Sequence, residues 1–362
     1  LNPEWHQQIP IYRASVWDIN DLPDQTNVSI EDIRNVPSNV INLGGCLLKA
    51  IKIIKFSPDG KYMIASGGGQ ERDTYVVVVH DTSNLSNVSV IESVKVGRTR
   101  VVDAVWTSNT TFVTVGNGVI TFFTIKGRNV TQTNGKFGKT SPPFLCSVAA
   151  GKNSKVFTGT NKGDIMPWTG GSMGKSINIC KKGSIYSLYY NEKQNLLFSG
   201  GADGFITAFD PNKLDKKYTI DIQKVTGTLT SPAVVSMDCD QKGNMLVGTL
   251  GGEIVEINLD SKQLTRSLMK AHSGKELWGV AINPQNVNLI ATGGADMTLR
   301  IWDIKKNAQI NIKKFPQDFR AMDWSSDGKF IIIGALNGLI YYINPETMDC
   351  PEPYKSIFYG DD

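Results

Sequence analysis

The chain has 362 residues, 40% hydrophobic and 20% charged, with a formal net charge of +4 from 38 basic and 34 acidic side chains. That length and balance supply a packed core and exclude bulk disorder. The mild positive charge demands no nucleic acid, and no run approaches the ~18 apolar residues of a membrane span, so neither partner is expected.

Cys46, Cys146, Cys180, Cys239 and Cys350 are odd in number, widely spaced and without a CxxC pair. They indicate neither a zinc site nor a disulfide framework, and a reducing compartment is the simplest reading. The three histidines, His6, His80 and His272, are too few for a His-based metal site. The sequons at Asn27, Asn84, Asn87, Asn109 and Asn129 fit chance in a chain rich in Asn, Ser and Thr. The chain opens at Leu1 without an initiator methionine, which reads as a piece of a longer protein.

Residues 12–19, YRASVWDI, read as a strand closed by W-D. From residue 51 a unit recurs: an alternating strand, a polar turn, a strand ending in small residues and glycine, a tight turn, and a third strand. It reads IKIIKFSPDGKYMIASGGG and TYVVVVHD at 51–81, then VVDAVWT, TFVTVGNG and VITFFTI at 101–125. FLCSVAA, KVFTGTNKG and DIMPWTG follow at 144–170, and SIYSLYY, LLFSGGADG and FITAFDP at 184–211. VVSMDCD, NMLVGTLGG and EIVEINL stand at 234–259. LWGVAIN, NLIATGGAD and MTLRIWD at 277–303 form the clearest copy, and RAMDWSS, KFIIIGALNG and LIYYINP at 320–345 the last. Segments such as 87–96 and 263–269 supply a fourth strand. Seven copies recur at intervals of about 40 to 50 residues, the period of WD40 β-propeller blades.

The predicted fold is therefore all-β, a WD40-type propeller of about seven four-stranded blades within a tandem array. A blade cannot bury both faces alone, so blades are stable only when stacked. The small pairs Ser66-Gly67, Thr158-Gly159, Ser199-Gly200 and Thr292-Gly293 fit close backbone approach between neighbours. The expected divisions are 1–46, a third-strand remnant of a preceding blade plus linker; 47–349, the blades; and 350–362, a C-terminal segment. The alternative for 12–19 is a strand that closes the ring by completing the last blade.

In the 277–303 copy, His272, Thr292, Asp296 and Trp302 match the WD40 structural tetrad, in which carboxylate, imidazole, hydroxyl and indole satisfy one another inside a blade. A catalytic triad is the weaker reading of the same residues, because no nucleophile elbow accompanies them. Ser199 and Asp203 keep half of the pattern, with Phe209 in place of Trp.

The ELWG at Glu276–Gly279 follows Ala-His-Ser-Gly, and 135–170 contains Pro143, Phe144, Leu145 and Cys146, then Thr158, Gly159, Gly163, Asp164, Ile165 and Trp168. These, with His272, Leu277, Trp278, Gly279, Ala281 and Pro284, resemble motifs of the echinoderm microtubule-associated-protein-like family, over most of residues 50–345. The family's hydrophobic N-terminal motif and basic coiled-coil leader have no counterpart in these residues, so no role of those parts is carried over. The resemblance implies attachment to tubulin, microtubules or other axonemal or cytoskeletal proteins. It places the chain in the cytoplasm on the cytoskeleton, with the ciliary axoneme as one such array.

No P-loop, G-x-S-x-G, H-E-x-x-H, EF-hand or dinucleotide fingerprint occurs, so no enzyme activity, cofactor or small-molecule substrate is expected. GGGQE at 67–71 reads as a hairpin. The pairs Lys181-Lys182, Lys216-Lys217, Lys305-Lys306 and Lys313-Lys314 read as solvated rim charge or as contacts for acidic tubulin tails. Trp5, Tyr12, Tyr354 and Phe358 are further candidate contacts, in the end segments. The competing reading is a WD40 adaptor for peptides or phosphopeptides in a signalling or ubiquitin-ligase complex, which scarce arginine at the turns disfavours.

Overall fold

The computed structural model describes residues 13–16, 39–42, 52–68, 74–84, 87–180, 183–226, 231–240, 243–269, 272, 277–306, 308–316, 318–335, 339–350 and 354–355. Seven antiparallel sheets follow one another along the chain, each built in sequence order. Blade one is Ile53–Phe56, Tyr62–Gly68, Tyr75–Asp81 and Ser89–Gly97; blade two is Val101–Trp106, Thr111–Gly116, Val119–Lys126 and Asn129–Asn134. Blade three is Leu145–Ala150, Val156–Thr160 and Asp164–Thr169, whose outer edge pairs with two short strands, Ser172–Met173 and Ile177–Asn178. Blade four is Ile185–Asn191, Leu196–Gly201, Phe205–Phe209 and Lys216–Asp221, and blade five is Val234–Cys239, Asn244–Thr249, Ile254–Asn258 and Gln263–Met269. Blade six is Leu277–Ile282, Leu289–Gly294, Thr298–Asp303 and Ala308–Lys314; blade seven is Phe319–Trp324, Ile331–Ala335, Leu339–Ile343 and Tyr354–Lys355. All seven repeats are thus blades, and the tails at 87–96 and 263–269 are fourth strands.

Arg13–Val16 pairs with Asn39–Asn42 as a separate two-stranded sheet. The chain divides into two compact units. One holds 1–201 with 207–218, and the other 202–206 with 219–362, including a short helix at Ile222–Thr226.

Alternation writes the cores. In blades one and two, Ile64, Val77, Val79, Phe112 and Phe123 form one apolar cluster, with Phe112 and Phe123 stacked at 4.6 Å. Blades two and three share Val113, Ile120, Leu145, Met166 and Trp168; blades three and four share Phe157, Ile165, Ile185, Leu197 and Phe209. In the second unit, Ala281, Leu299 and Ile301 of blade six meet Trp324, Ile331 and Ile333 of blade seven. Fully burying each large apolar side chain contributes roughly 1.5–3 kcal/mol.

Polar ties cross the same seams. The indole of Trp106, ending blade two's first strand, donates to Lys55 O of blade one at 3.1 Å; Trp324 of blade seven donates to Ala281 O of blade six at 3.0 Å. Ser147 Oγ of blade three donates to Ile185 O of blade four at 3.0 Å. At Gly159 an added Cβ would stand 2.5 Å from Ser147 Oγ and 2.7 Å from Ile185 Cγ2, so this glycine does mark a close approach to the next blade.

A feature not anticipated from the sequence repeats in blades two to seven. Register slips by one residue inside each first strand, between Val101/Asp103, Leu145/Ser147, Ile185/Ser187, Val234/Ser236, Leu277/Gly279 and Phe319/Ala321. Cys146 and Trp278, two residues of the family-like motifs, are the extra residues of two of these bulges. Gly279 follows the second, where a side chain would collide with Met322 of blade seven. Part of that motif signal is therefore architectural: a bulge bends the strand and re-aims its side chains.

His80 lies 1% exposed in blade one's third strand, and burial pushes its imidazole pKa below 6.5. The unfolded chain binds that proton more readily than the fold, so this contribution to stability is complete above pH ~6.5 and falls as pH drops below it. Denaturation midpoints measured from pH 7.5 downward should decline, and His80→Leu should flatten the decline; an unchanged slope would contradict this.

Candidate functional site

Among the described residues, the most connected polar cluster is in blade six. Thr292 on the second strand lies opposite Arg300 on the third, and Trp302, two residues further on, shares their face. The Trp302 indole donates to Thr292 Oγ1 at 2.7 Å. Thr292 Oγ1 lies 2.8 Å from His272 Nε2, and His272 Nδ1 lies 3.0 Å from Asp296 Oδ1. One assignment satisfies every group: the hydroxyl donates to Nε2, and Nδ1–H donates to the carboxylate. The four residues singled out from the sequence are thus linked by consecutive hydrogen-bond distances. Thr292's hydroxyl accepts from the indole while donating to the imidazole, which is the wiring of a structural clasp and leaves it poorly placed to attack a substrate.

Thr298 extends the network, its Oγ1 at 2.9 Å from both Asp296 carboxylate oxygens. Burial alone would raise the Asp296 pKa; the hydrogen bond from His272, followed by the bonds from Thr298, overturns this and leaves it at about 2.

Arg300 was missed by sequence reasoning. It is 1% exposed, with Nη2 3.7 Å from Asp296 and 3.9 Å from Glu253 of blade five, and Nη1 donating to Gln309 at 3.0 Å. Burial pushes its pKa down, against the two carboxylates. The available signal was a lone charge inside the otherwise inward-reading strand MTLRIWD.

The other blades carry fragments. In blade three the Trp168 indole donates to Thr158 Oγ1 at 3.0 Å. In blade four Ser199 and Asp203 do not meet: Ser199 Oγ donates to Thr207 O at 3.5 Å, and Asp203 accepts from Phe205 N–H at 3.2 Å.

Of the lysine pairs, Lys305-Lys306 and Lys313-Lys314 stand at opposite ends of one strand. Lys181 and Lys182 lie outside the described residues, as do Trp5, Tyr12 and Phe358. Lys216 and Lys217 are exposed at the start of blade four's outer strand. Lys305 and Lys306 are exposed in the turn before blade six's outer strand, and Lys313 and Lys314 end that strand, roughly 20 Å away at ~3.3 Å per residue. Lys306 pairs with Asp303 at 3.4 Å. Lys313 is half-buried, its Nζ 2.5 Å from Met348 O and 5.8 Å from the Phe315 ring centre, so it serves the fold. Lysines on outer strands also discourage edge-to-edge pairing. Among the described residues, no group of three or more His, Cys, Asp or Glu is placed to hold a metal ion, and no helix is long and apolar enough to cross a membrane.

Comparison with known proteins agrees with this geometry. The family model "WD domain, G-beta repeat" matches residues 262–303, the stretch holding the complete tetrad. The 77 kDa echinoderm microtubule-associated protein of Lytechinus variegatus is 26% identical over 242 residues, covering 66% of this chain and 35% of that protein. Echinoderm microtubule-associated protein-like 1 of Mus musculus is 25% identical over 67% of this chain and 29% of its own length. The ciliary WD repeat-containing protein ctxp80 of Euplotoides octocarinatus is 22% identical over 71% of this chain and 34% of its own. The chain spans about a third of the length of these relatives. The chain is a WD-repeat, all-β protein similar, over about two-thirds of its residues, to the echinoderm microtubule-associated-protein-like and ciliary WD-repeat proteins.

Proposed function

We propose that the chain is a non-catalytic scaffold that binds tubulin or microtubules and serves as a structural component of a stable array such as the ciliary axoneme. The observation that carries this reading is the similarity to relatives named as microtubule-associated and ciliary, over about two-thirds of the chain. The exposed lysines Lys216, Lys217, Lys305 and Lys306 support it: cations on rigid outer strands and turns raise the rate of encounter with an acidic partner. Such contacts are screened by salt.

Co-sedimentation with stabilised microtubules tests the proposal. The chain should pellet at low ionic strength and progressively less as salt rises. Absence from the pellet at both would leave a WD40 adaptor that binds other peptides as the better reading.

A further inference from the structure

An open cleft of about 320 Å³ lies at one end of blades three and four. One wall is the tight 3-10 turn beginning at Lys152, with Lys155 and Phe157 beyond it; the other is Tyr190 and the turn at Pro211 and Asn212. Amides and one threonine complete the lining, and no Asp or Glu side chain is part of it.

The cations are held differently. Lys155 Nζ donates to Pro211 O at 2.6 Å and lies 5.3 Å from the Phe157 ring centre. An ammonium has three donors, and folding has already fixed this side chain, so an anion meets a cation whose ordering cost is largely spent. Lys152 is exposed on the turn and lines the opening. Tyr190 donates to Asn195 Oδ1 at 2.6 Å, and burial, then the charge of Glu192, pushes its phenol pKa up, keeping it neutral. The nearby Asp210 carboxylate is occupied by the N–H groups of Asn212 at 2.9 Å and Lys213 at 3.0 Å. Lys217 and Lys213 add positive charge beside it.

We propose that this cleft docks an acidic segment of a partner protein, a short run of Glu or Asp residues. Their carboxylates meet Lys152 and Lys155, and their methylenes lie on the Tyr190 ring. An open, polar groove suits a peptide better than an enclosed metabolite, which is normally wrapped in apolar walls. Carboxylate is favoured over phosphate because no arginine lines the cleft to make a bidentate fork. The inference rests on the preceding reading only for which protein carries the segment.

The test is fluorescence anisotropy of a labelled oligoglutamate peptide titrated with the whole chain at low ionic strength. Saturable binding is expected, weakened about tenfold by Lys152→Glu and less than about twofold by Lys61→Glu at an exposed turn of blade one. Lys152 is exposed, so an unchanged unfolding midpoint confirms that the variant folds. Lack of saturable binding, or equal loss in both variants, overturns the proposal; tighter binding of a phosphoserine peptide of the same length overturns its carboxylate assignment. A chain that pellets with microtubules yet ignores the peptide loses this site and keeps its proposed function. Peptide binding without pelleting gives the reverse.

Discussion

Arg300→Ala is expected to lower the free energy of unfolding by about 3–5 kcal/mol, because it removes the buried cation that faces two buried carboxylates. Asp296 and Glu253 are 1% and 3% exposed, and each faces Arg300 across less than 4 Å. Removing the cation takes the guanidinium charge from both where water cannot replace it, while Asp296 keeps its bonds from His272 and Thr298 and Glu253 its bond from Thr249. Arg300→Met with Glu253→Gln should recover part of the loss, since the second change deletes one of the two buried negative charges. Urea midpoints of the three proteins check this; a loss under about 1 kcal/mol for Arg300→Ala would contradict it. The same cluster sets an acid limit. Asp296 stands at about 2 in the fold and 3.8 as the ordinary value, so its stabilisation is present above pH ~3.8 and lost as pH falls toward 2. That shift corresponds to roughly 2 kcal/mol.

Trp168→Ala should cost a similar amount, about 3–5 kcal/mol, by opening a cavity between blades two and three. The side chain is fully buried, packs edge-on against Phe137 at 4.9 Å and tilted against Phe122 at 6.5 Å, and donates to Thr158. Trp168→Phe keeps much of the ring volume and loses the donor to a buried hydroxyl, so it should cost about 1–3 kcal/mol. Thermal unfolding of both variants separates volume from hydrogen bond. Equal losses would show that the bond to Thr158, not the packing, dominates.

The blades were legible because their alternation has period two and their glycines sit at fixed offsets, so TYVVVVHD and LLFSGGADG each placed a strand and a turn. The tetrad was legible because His272, Thr292, Asp296 and Trp302 have distinctive chemistry at distinctive spacing. Arg300 was not, because an arginine in an edge-rich sheet protein usually faces water; only the fold shows the carboxylate of the neighbouring blade. The bulges at Cys146 and Trp278 were hidden for a related reason: an extra residue in one strand is defined by its partner, which the strand's own sequence does not contain. The lysine pairs looked equivalent as dipeptides. The structure gives Lys313 a carbonyl to hold and sets Lys305-Lys306 and Lys313-Lys314 at opposite ends of one strand.

In the proposed function, exposed cations on outer strands and turns attach the blades to an acidic filament. Pelleting the unmodified chain and a Lys216→Glu/Lys217→Glu/Lys305→Glu/Lys306→Glu chain side by side with microtubules at low ionic strength tests it most directly. The account predicts that the unmodified chain enters the pellet and the charge-reversed chain, equally folded by its unfolding midpoint, binds about tenfold more weakly or stays in solution. Equal pelleting of both chains, or of neither, would contradict it.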